Sequence, residues 1–286
     1  MSPREAPVPA MSAIDRSTSV AHAERVQRNG ASAPITEVIA EETPIALVYN
    51  GISHAVMLAT PADLVEFGLG FSLSEGILKS KDELLEAEVA ESEAGIEVRM
   101  KIARAQYRKL RERRRTLAGR TGCGICGVES LQQALRPVPA VAATTRVPIE
   151  AVYAALAALP QLQAVNRLTR SVHAAAWADP AGRIELVRED VGRHNALDKL
   201  VGAMAARGVD AAQGFAIITS RCSVEMVQKA ATAGIPVLVA ISAPTALARR
   251  IAEEAGLTLL ALARADSLLI VTHPDRIANT TEATTR

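Results

Sequence analysis

Phe215 to Ala263 reads FAIITSRCSVEMVQKAATAGIPVLVAISAPTALARRIAEEAGLTLLALA. Apolar runs at Phe215–Thr219, Val237–Ile241 and Leu259–Ala263 have strand length. Between them, Val224–Ala233 and Thr245–Ala255 carry helical patterning, and Gly234 and Gly256 follow as stop signals. Alternation of this regularity predicts a layered α/β domain with a partly parallel sheet. Ligands of such sheets lie beyond the carboxyl ends of the strands. Three polar clusters fall at those ends: Ser220-Arg221-Cys222-Ser223, Ser242-Ala243-Pro244-Thr245 and Arg264-Ala265-Asp266-Ser267.

Upstream, His173–Trp177 and Ile184–Val187 flank the turn Asp179-Pro180-Ala181-Gly182, and Asn195–Ala206 is helical up to Gly208. The stretch from Val187 to Lys199 concentrates Arg188, Glu189, Asp190, Arg193, His194 and Asn195 where a strand runs into a helix. The ordinary explanation is a capped, solvated helix start. Six polar residues at such a junction fit a site better. Glu189 or Asp190 is expected to orient His194, which would move a proton to or from a sulfur. His173 reads as a satisfied core or supporting histidine, and Cys222 as a small packing residue beside a ligand pocket.

Nearer the amino terminus, Ile45–Tyr49 and Ile52–Leu58 are joined by Asn50-Gly51, a two-residue hairpin signal. Thr60-Pro61-Ala62-Asp63 is expected to open a helix reaching Ser74. Ile96, Val98, Met100 and Ile102 alternate as in a half-buried strand, and Pro148 opens a helix that Pro160 is expected to close. Arg108 to Arg115 is a basic run. It is either a solvated helix face or a docking surface for an anionic ligand or partner.

Two of the three cysteines, Cys123 and Cys126, stand in Arg120-Thr121-Gly122-Cys123-Gly124-Ile125-Cys126-Gly127. Glycines on both sides predict a bent, mobile loop, with a helix over Val128–Leu135 after it. Arg120 and that helix start would both lower a thiol pKa. Sulfur chemistry is indicated: disulfide exchange, metal thiolate or persulfide. A closed zinc site needs two further ligands, and no permanently bound metal is expected. The division that follows is a disordered tail over 1–34, a β-rich subdomain over 35–118, the cysteine loop over 119–128, an α/β cofactor-binding core over 129–275 and a tail over 276–286.

A net charge of +1 and 2% aromatic residues argue against a nucleic-acid binder. Three cysteines are too few for a disulfide framework and point to a reducing, cytoplasmic setting. No stretch reaches the roughly 18 apolar residues of a membrane span, so no membrane association is expected.

Arg120–Leu131 (RTGCGICGVESL), Arg188–Leu200 (REDVGRHNALDKL) and Glu225–Ala248 (EMVQKAATAGIPVLVAISAPTALA), with the hairpin and helix of Pro44–Ile77 and Thr272-His273-Pro274, resemble the formate dehydrogenase accessory sulfurtransferase family, FdhD. The resemblance covers residues 36–277. It implies a cytidine-deaminase-like α/β core without the zinc signature of the deaminases. It also implies a sulfurtransferase and chaperone, a homodimer, that takes persulfide sulfur from a cysteine desulfurase. The acceptor is the molybdenum bis(molybdopterin guanine dinucleotide) cofactor, a bound client that formate dehydrogenase needs in sulfurated form. Cys123 would carry the persulfide with Cys126 as partner thiol. The cofactor-binding segment maps onto Leu262, Ala263, Arg264, Ala265, Asp266 and Ser267, with Arg193, His194, Ser220 and Arg221 nearby. A thiol–disulfide oxidoreductase using Cys123 and Cys126 and a non-catalytic cofactor-binding chaperone are the alternatives.

Overall fold

The computed structural model describes residues 13–115 and 138–278; Cys123, Cys126 and the helix expected over Val128–Leu135 lie outside the described residues. The chain opens with a short helix, α1 (Ala13–Ser17), and a hairpin of β1 (Thr18–Val26) and β2 (Ser32–Ala40). This corrects the tail expected over residues 1–34, of which 1–12 are not described. The segment lacks the apolar alternation of a strand pair, yet nine residues pair in register, from Thr18 opposite Ala40 to Val26 opposite Ser32. Glu37 ties the ribbon to Arg25 at 2.7 Å and, across the fold, to Arg170 at 3.4 Å. Tertiary support here replaces local propensity.

β3 (Thr43–Tyr49) and β4 (Ile52–Ala59) form the hairpin expected from Asn50-Gly51, whose φ values of 48° and 83° are those of a primed turn. α2 (Leu64–Ser74), β5 (Leu84–Ser92) and β6 (Gly95–Ile102) complete a sheet of order β4-β3-β6-β5. Ile96, Val98, Met100 and Ile102 point inward and meet Ile45, Leu47 and Tyr49 beneath Phe67 of α2. Each such apolar side chain contributes about 1.5–3 kcal/mol by burial. α2 begins three residues after the proline expected in its first turn. Thr60 is engaged elsewhere, its N–H donating to Asp190 and its carbonyl accepting from Lys199. α3 (Arg104–Arg115) carries the basic run.

After residue 137 come β7 (Val147–Pro148), α4 (Ile149–Leu162), which continues two residues past Pro160, and α5 (Ala164–Thr169). β8 (His173–Ala178), β9 (Ile184–Asp190), α6 (Arg193–Arg207), β10 (Phe215–Ile218), α7 (Val224–Thr232), β11 (Val237–Ala240), α8 (Ala246–Ala255), β12 (Thr258–Ala261) and β13 (Leu269–Ile270) follow. β14 (Ile277–Ala278) pairs with β7, so the tail expected from residue 276 gives way to a strand there. The six-stranded sheet has the order β13-β12-β11-β10-β8-β9, with β10, β11 and β12 parallel and β8 antiparallel to both neighbours. Alternate residues feed two cores. Ala216, Ile218, Leu238 and Leu259 pack under α6, α7 and α8. Phe215, Ile217, Val237 and Leu260 pack under α4. The domain is a three-layered, mixed α/β structure.

α2 joins the two sheets by crossing α6 at backbone distance. A Cβ on Gly70 would lie 1.7 Å from the Asp198 carbonyl oxygen, and one on Gly202 1.8 Å from that of Glu66. Among the described residues no helix is long and apolar enough to cross a membrane.

Candidate functional site

β9, β10, β11 and β12 all end on one edge of the six-stranded sheet, and β8 begins there. The topology therefore gathers Arg193 and His194, His173, Ser220 to Ser223, Ser242 to Thr245, and Leu262 to Ser267 on one rim. The loops are stitched together through backbone. Cys222 N–H donates to Ala243 O at 3.2 Å, Thr245 N–H to Cys222 O at 3.0 Å and Leu262 N–H to Ser242 O at 3.2 Å. Leu262 takes a left-handed turn (φ 50°), and Arg264 donates to the carbonyls of Ile241 and Ala263.

Two helices present their first turns to this rim, α6 after Gly192 and α7 after Ser223. Neither has a side-chain cap, whereas Thr245 caps α8 by accepting from Ala248 N–H at 3.1 Å. Three buried polar atoms here have no hydrogen-bond partner among the described residues: Arg193 Nε, His194 Nε2 and Ser223 Oγ. Unpartnered groups of this kind are rare in folded proteins, and uncapped helix starts attract anions. Burial, reinforced by the positive charges of Arg193 and Lys229 over the opposing Glu225 and Glu75, brings His194 down to about 4. It is a neutral imidazole at pH 7. Burial pushes the Cys222 thiol up to about 12 with help from Glu225, so Cys222 packs and does not react.

Behind the rim, Lys229 donates to both Asp198 oxygens at 2.9 Å, to Glu75 at 2.8 Å and to Ser74 Oγ at 3.0 Å, while Ser74 donates to Asp198 at 2.5 Å. Burial works against the Lys229 charge, but Asp198 and Glu75 outweigh it and raise the ammonium. Burial likewise raises the Asp198 carboxyl, opposed by Lys229. We take the pair as ionised, because every hydrogen bond to Asp198 is donated to it. The network fixes α7 against α6 and the end of α2, and thereby sets how the two uncapped helix starts stand to each other.

Most of the polar side chains in the Val187–Lys199 stretch form a clamp between the two sheets. Arg188 binds Glu66 in two bonds, 2.5 and 2.8 Å. Asp190, fully buried, accepts from Lys199 at 2.7 Å, Thr60 N–H at 3.0 Å, Gly192 N–H at 2.7 Å and Asn195 at 3.0 Å. This corrects the role expected for Glu189 and Asp190. Glu189 accepts from Val165 and Asn166 N–H, both at 2.8 Å, at the start of α5, and Asp190 serves the clamp. Neither bonds His194.

Of the remaining expected site residues, Ser220 is buried with its hydroxyl donating to Arg221 O at 3.0 Å, and Arg221 is exposed. Ala263 is buried, whereas Ala265 and Asp266 are exposed, Asp266 accepting from Ser267 at 3.2 Å. Sequence reasoning missed Ser74, Glu75 and Lys229. The usable signal was a charge or hydroxyl at an otherwise apolar, core-facing helix position. No group of three or more His, Cys, Asp or Glu among the described residues is placed to hold a metal.

His194 gives a pH prediction. An unfolded imidazole titrates near 6.5 and the folded one near 4. Between these values the unfolded state binds a proton that the folded state refuses, so stability present above pH 6.5 is lost as pH falls toward 4. Urea unfolding should show the wild type losing about 3 kcal/mol more than His194→Gln between pH 7 and 4. Parallel pH profiles would show that the imidazole is solvated instead.

The model of the FdhD/NarQ family matches residues 40–278. The chain is 52% identical over 239 residues to the sulfur carrier protein FdhD of Bordetella petrii, covering 84% of this chain and 86% of that one. It is 48% identical over 262 residues to the protein of the same name from Xanthomonas euvesicatoria pv. vesicatoria, covering 92% and 93%. A crystal structure from Desulfotalea psychrophila, assigned to a formate dehydrogenase accessory protein, superposes with a TM-score of 0.72 at 23% identity, over 91% of this chain and 99% of that one. That likeness is one of fold.

Proposed function

This chain belongs to the FdhD/NarQ family, and on that premise we propose that it is a sulfur carrier that matures formate dehydrogenase. Cys123 as thiolate attacks the outer sulfur of a persulfide on a cysteine desulfurase. A new S–S bond forms at Cys123, the donor's S–S bond breaks, and the donor thiolate leaves. Cys126 is the partner thiol. The recipient of the sulfur is the molybdenum guanine dinucleotide cofactor, held as substrate and used by formate dehydrogenase once sulfurated.

The residues fit such a substrate. Its phosphates are anions, and the rim offers two uncapped helix starts, Arg193, Arg221 and Arg264. The observation that carries this reading is the set of three unpartnered polar atoms on Arg193, His194 and Ser223. The neutral His194 accepts or donates a single proton there, and the stitched loops hold the rim in one shape before the substrate arrives. The parallel strands under helices on both faces support the deaminase-like layering. The low cysteine count supports a cytoplasmic setting, and family resemblance supports a homodimer.

The test is intact mass after incubation with a cysteine desulfurase and cysteine. The wild type should gain one sulfur atom, and Cys123→Ala should not. No gain in any variant, together with an oxidised Cys123–Cys126 pair, would replace the carrier by a redox protein.

A further inference from the structure

α3 holds seven cationic residues and one acidic one in twelve positions, in a chain whose net charge is only +1. Its inner side is committed. Leu110 is 4% exposed and Gln106 9%, and Gln106 is hydrogen-bonded to Glu83 at 2.5 Å. Its outer side exposes Arg104, Arg108, Lys109 and Arg111, none of them ion-paired to a described carboxylate. Several cations on the neighbouring strands are matched instead, as in Arg99–Glu97 at 2.8 Å and Lys101–Glu86 at 3.7 Å. Like charges one helical turn apart, such as Arg104 and Arg108, repel and weaken an isolated helix. Here that repulsion is left standing in one place.

We propose that the outer face of α3 is the docking surface for an acidic patch on the protein that loads sulfur onto Cys123, a proposal that rests on the carrier reading above. Position selects this partner. Cys123 follows Arg115 by eight residues, which span at most about 28 Å. Sulfur transfer needs the donor sulfur in bonding contact with Cys123, so a protein donor comes within that reach of the carboxyl end of α3. An acidic rim there would be drawn in and oriented, chiefly by faster association. RNA fits less well, because the chain is nearly neutral overall and poor in aromatic side chains.

The test follows sulfur arrival by intact mass from two donors, a cysteine desulfurase loaded with persulfide and free cysteine persulfide. It compares the wild type with the triple variant Arg104→Glu, Arg108→Glu, Arg111→Glu, at low and high sodium chloride. Loading from the protein donor should slow about tenfold or more in the variant. It should fall with salt in the wild type and be nearly salt-independent in the variant. Loading from free persulfide should stay within about twofold, the control that the variant is folded and Cys123 reactive. Equal loading from the protein donor by both chains overturns the docking surface, as does tight RNA binding lost in the variant with no change in loading. Failure of the wild type to load from either donor overturns the carrier reading itself.

Discussion

Gly202→Ala should leave little or no folded protein. The obstacle to the new methyl group is the Glu66 carbonyl oxygen, 1.8 Å away, on a helix already in backbone contact with α6. A flexible side chain could swing aside; a backbone carbonyl inside a helix cannot. Overpacking usually costs about 1–3 kcal/mol. Here α2 and α6 must separate, which loosens the contact between the two sheets, so the loss should exceed about 4 kcal/mol. Gly70→Ala should behave alike, its methyl facing the Asp198 carbonyl oxygen at 1.7 Å. Gly208→Ala is the control, at φ 68° with nothing within 4 Å of the added carbon. It should lose only about 1–2 kcal/mol to the left-handed backbone. The measurement is urea unfolding followed by Trp177 fluorescence and far-UV circular dichroism. Equal midpoints for Gly202→Ala and Gly208→Ala would mean that the helices do not touch.

The second large effect belongs to the Asp190–Lys199 pair, in which both side chains are 0% exposed and 2.7 Å apart. Removing one member of a buried pair costs about 3–5 kcal/mol, because the other charge is stranded. The two halves should not cost the same. Without Lys199, the Asp190 carboxylate keeps three donors, on Thr60, Gly192 and Asn195. Without Asp190, the Lys199 ammonium keeps, among the described residues, only the Thr60 carbonyl, at 2.8 Å. Asp190→Asn should therefore fall at the upper end of the range and Lys199→Met at the lower. The double variant should cost less than the sum of the singles. Additive losses below about 1 kcal/mol each would mean that water reaches the pair.

Much of this was legible locally. Asn50-Gly51 announced its hairpin because both residues tolerate positive φ, and Gly256 closed α8 at φ 68°. The strand–helix alternation from Phe215 onward placed the rim loops correctly along the chain. The failures were tertiary. The β1–β2 ribbon carries no apolar alternation, being held by pairing and by Glu37. Thr60 looked like a helix cap, but its backbone is taken by residues about 130 positions downstream. The Val187–Lys199 stretch was read as a site for its polarity. Five of its members, Arg188, Asp190, Asn195, Asp198 and Lys199, bond to residues of the β3–β4 hairpin, α2 and the loop between them or to each other. Glu189 bonds the start of α5, and Arg193 and His194 remain for the rim. Polarity in sequence cannot tell a buried clamp from a binding edge, because both require side chains that hydrogen-bond. The dividing fact is whether the partner lies within the chain.

That clamp also has a consequence for the order of events during synthesis. The face of α2 that carries Gly70 is made early, but its covering helix and the Lys199 that closes over Thr60 are about 130 residues away. At translation rates of 5–20 residues per second, α2 waits on the order of ten seconds after leaving the ribosome. For that interval the first sheet has a bare helical flank, open to chaperones and proteases. A nascent chain halted before residue 193 should be cut readily near α2, and one halted well beyond residue 207 should resist.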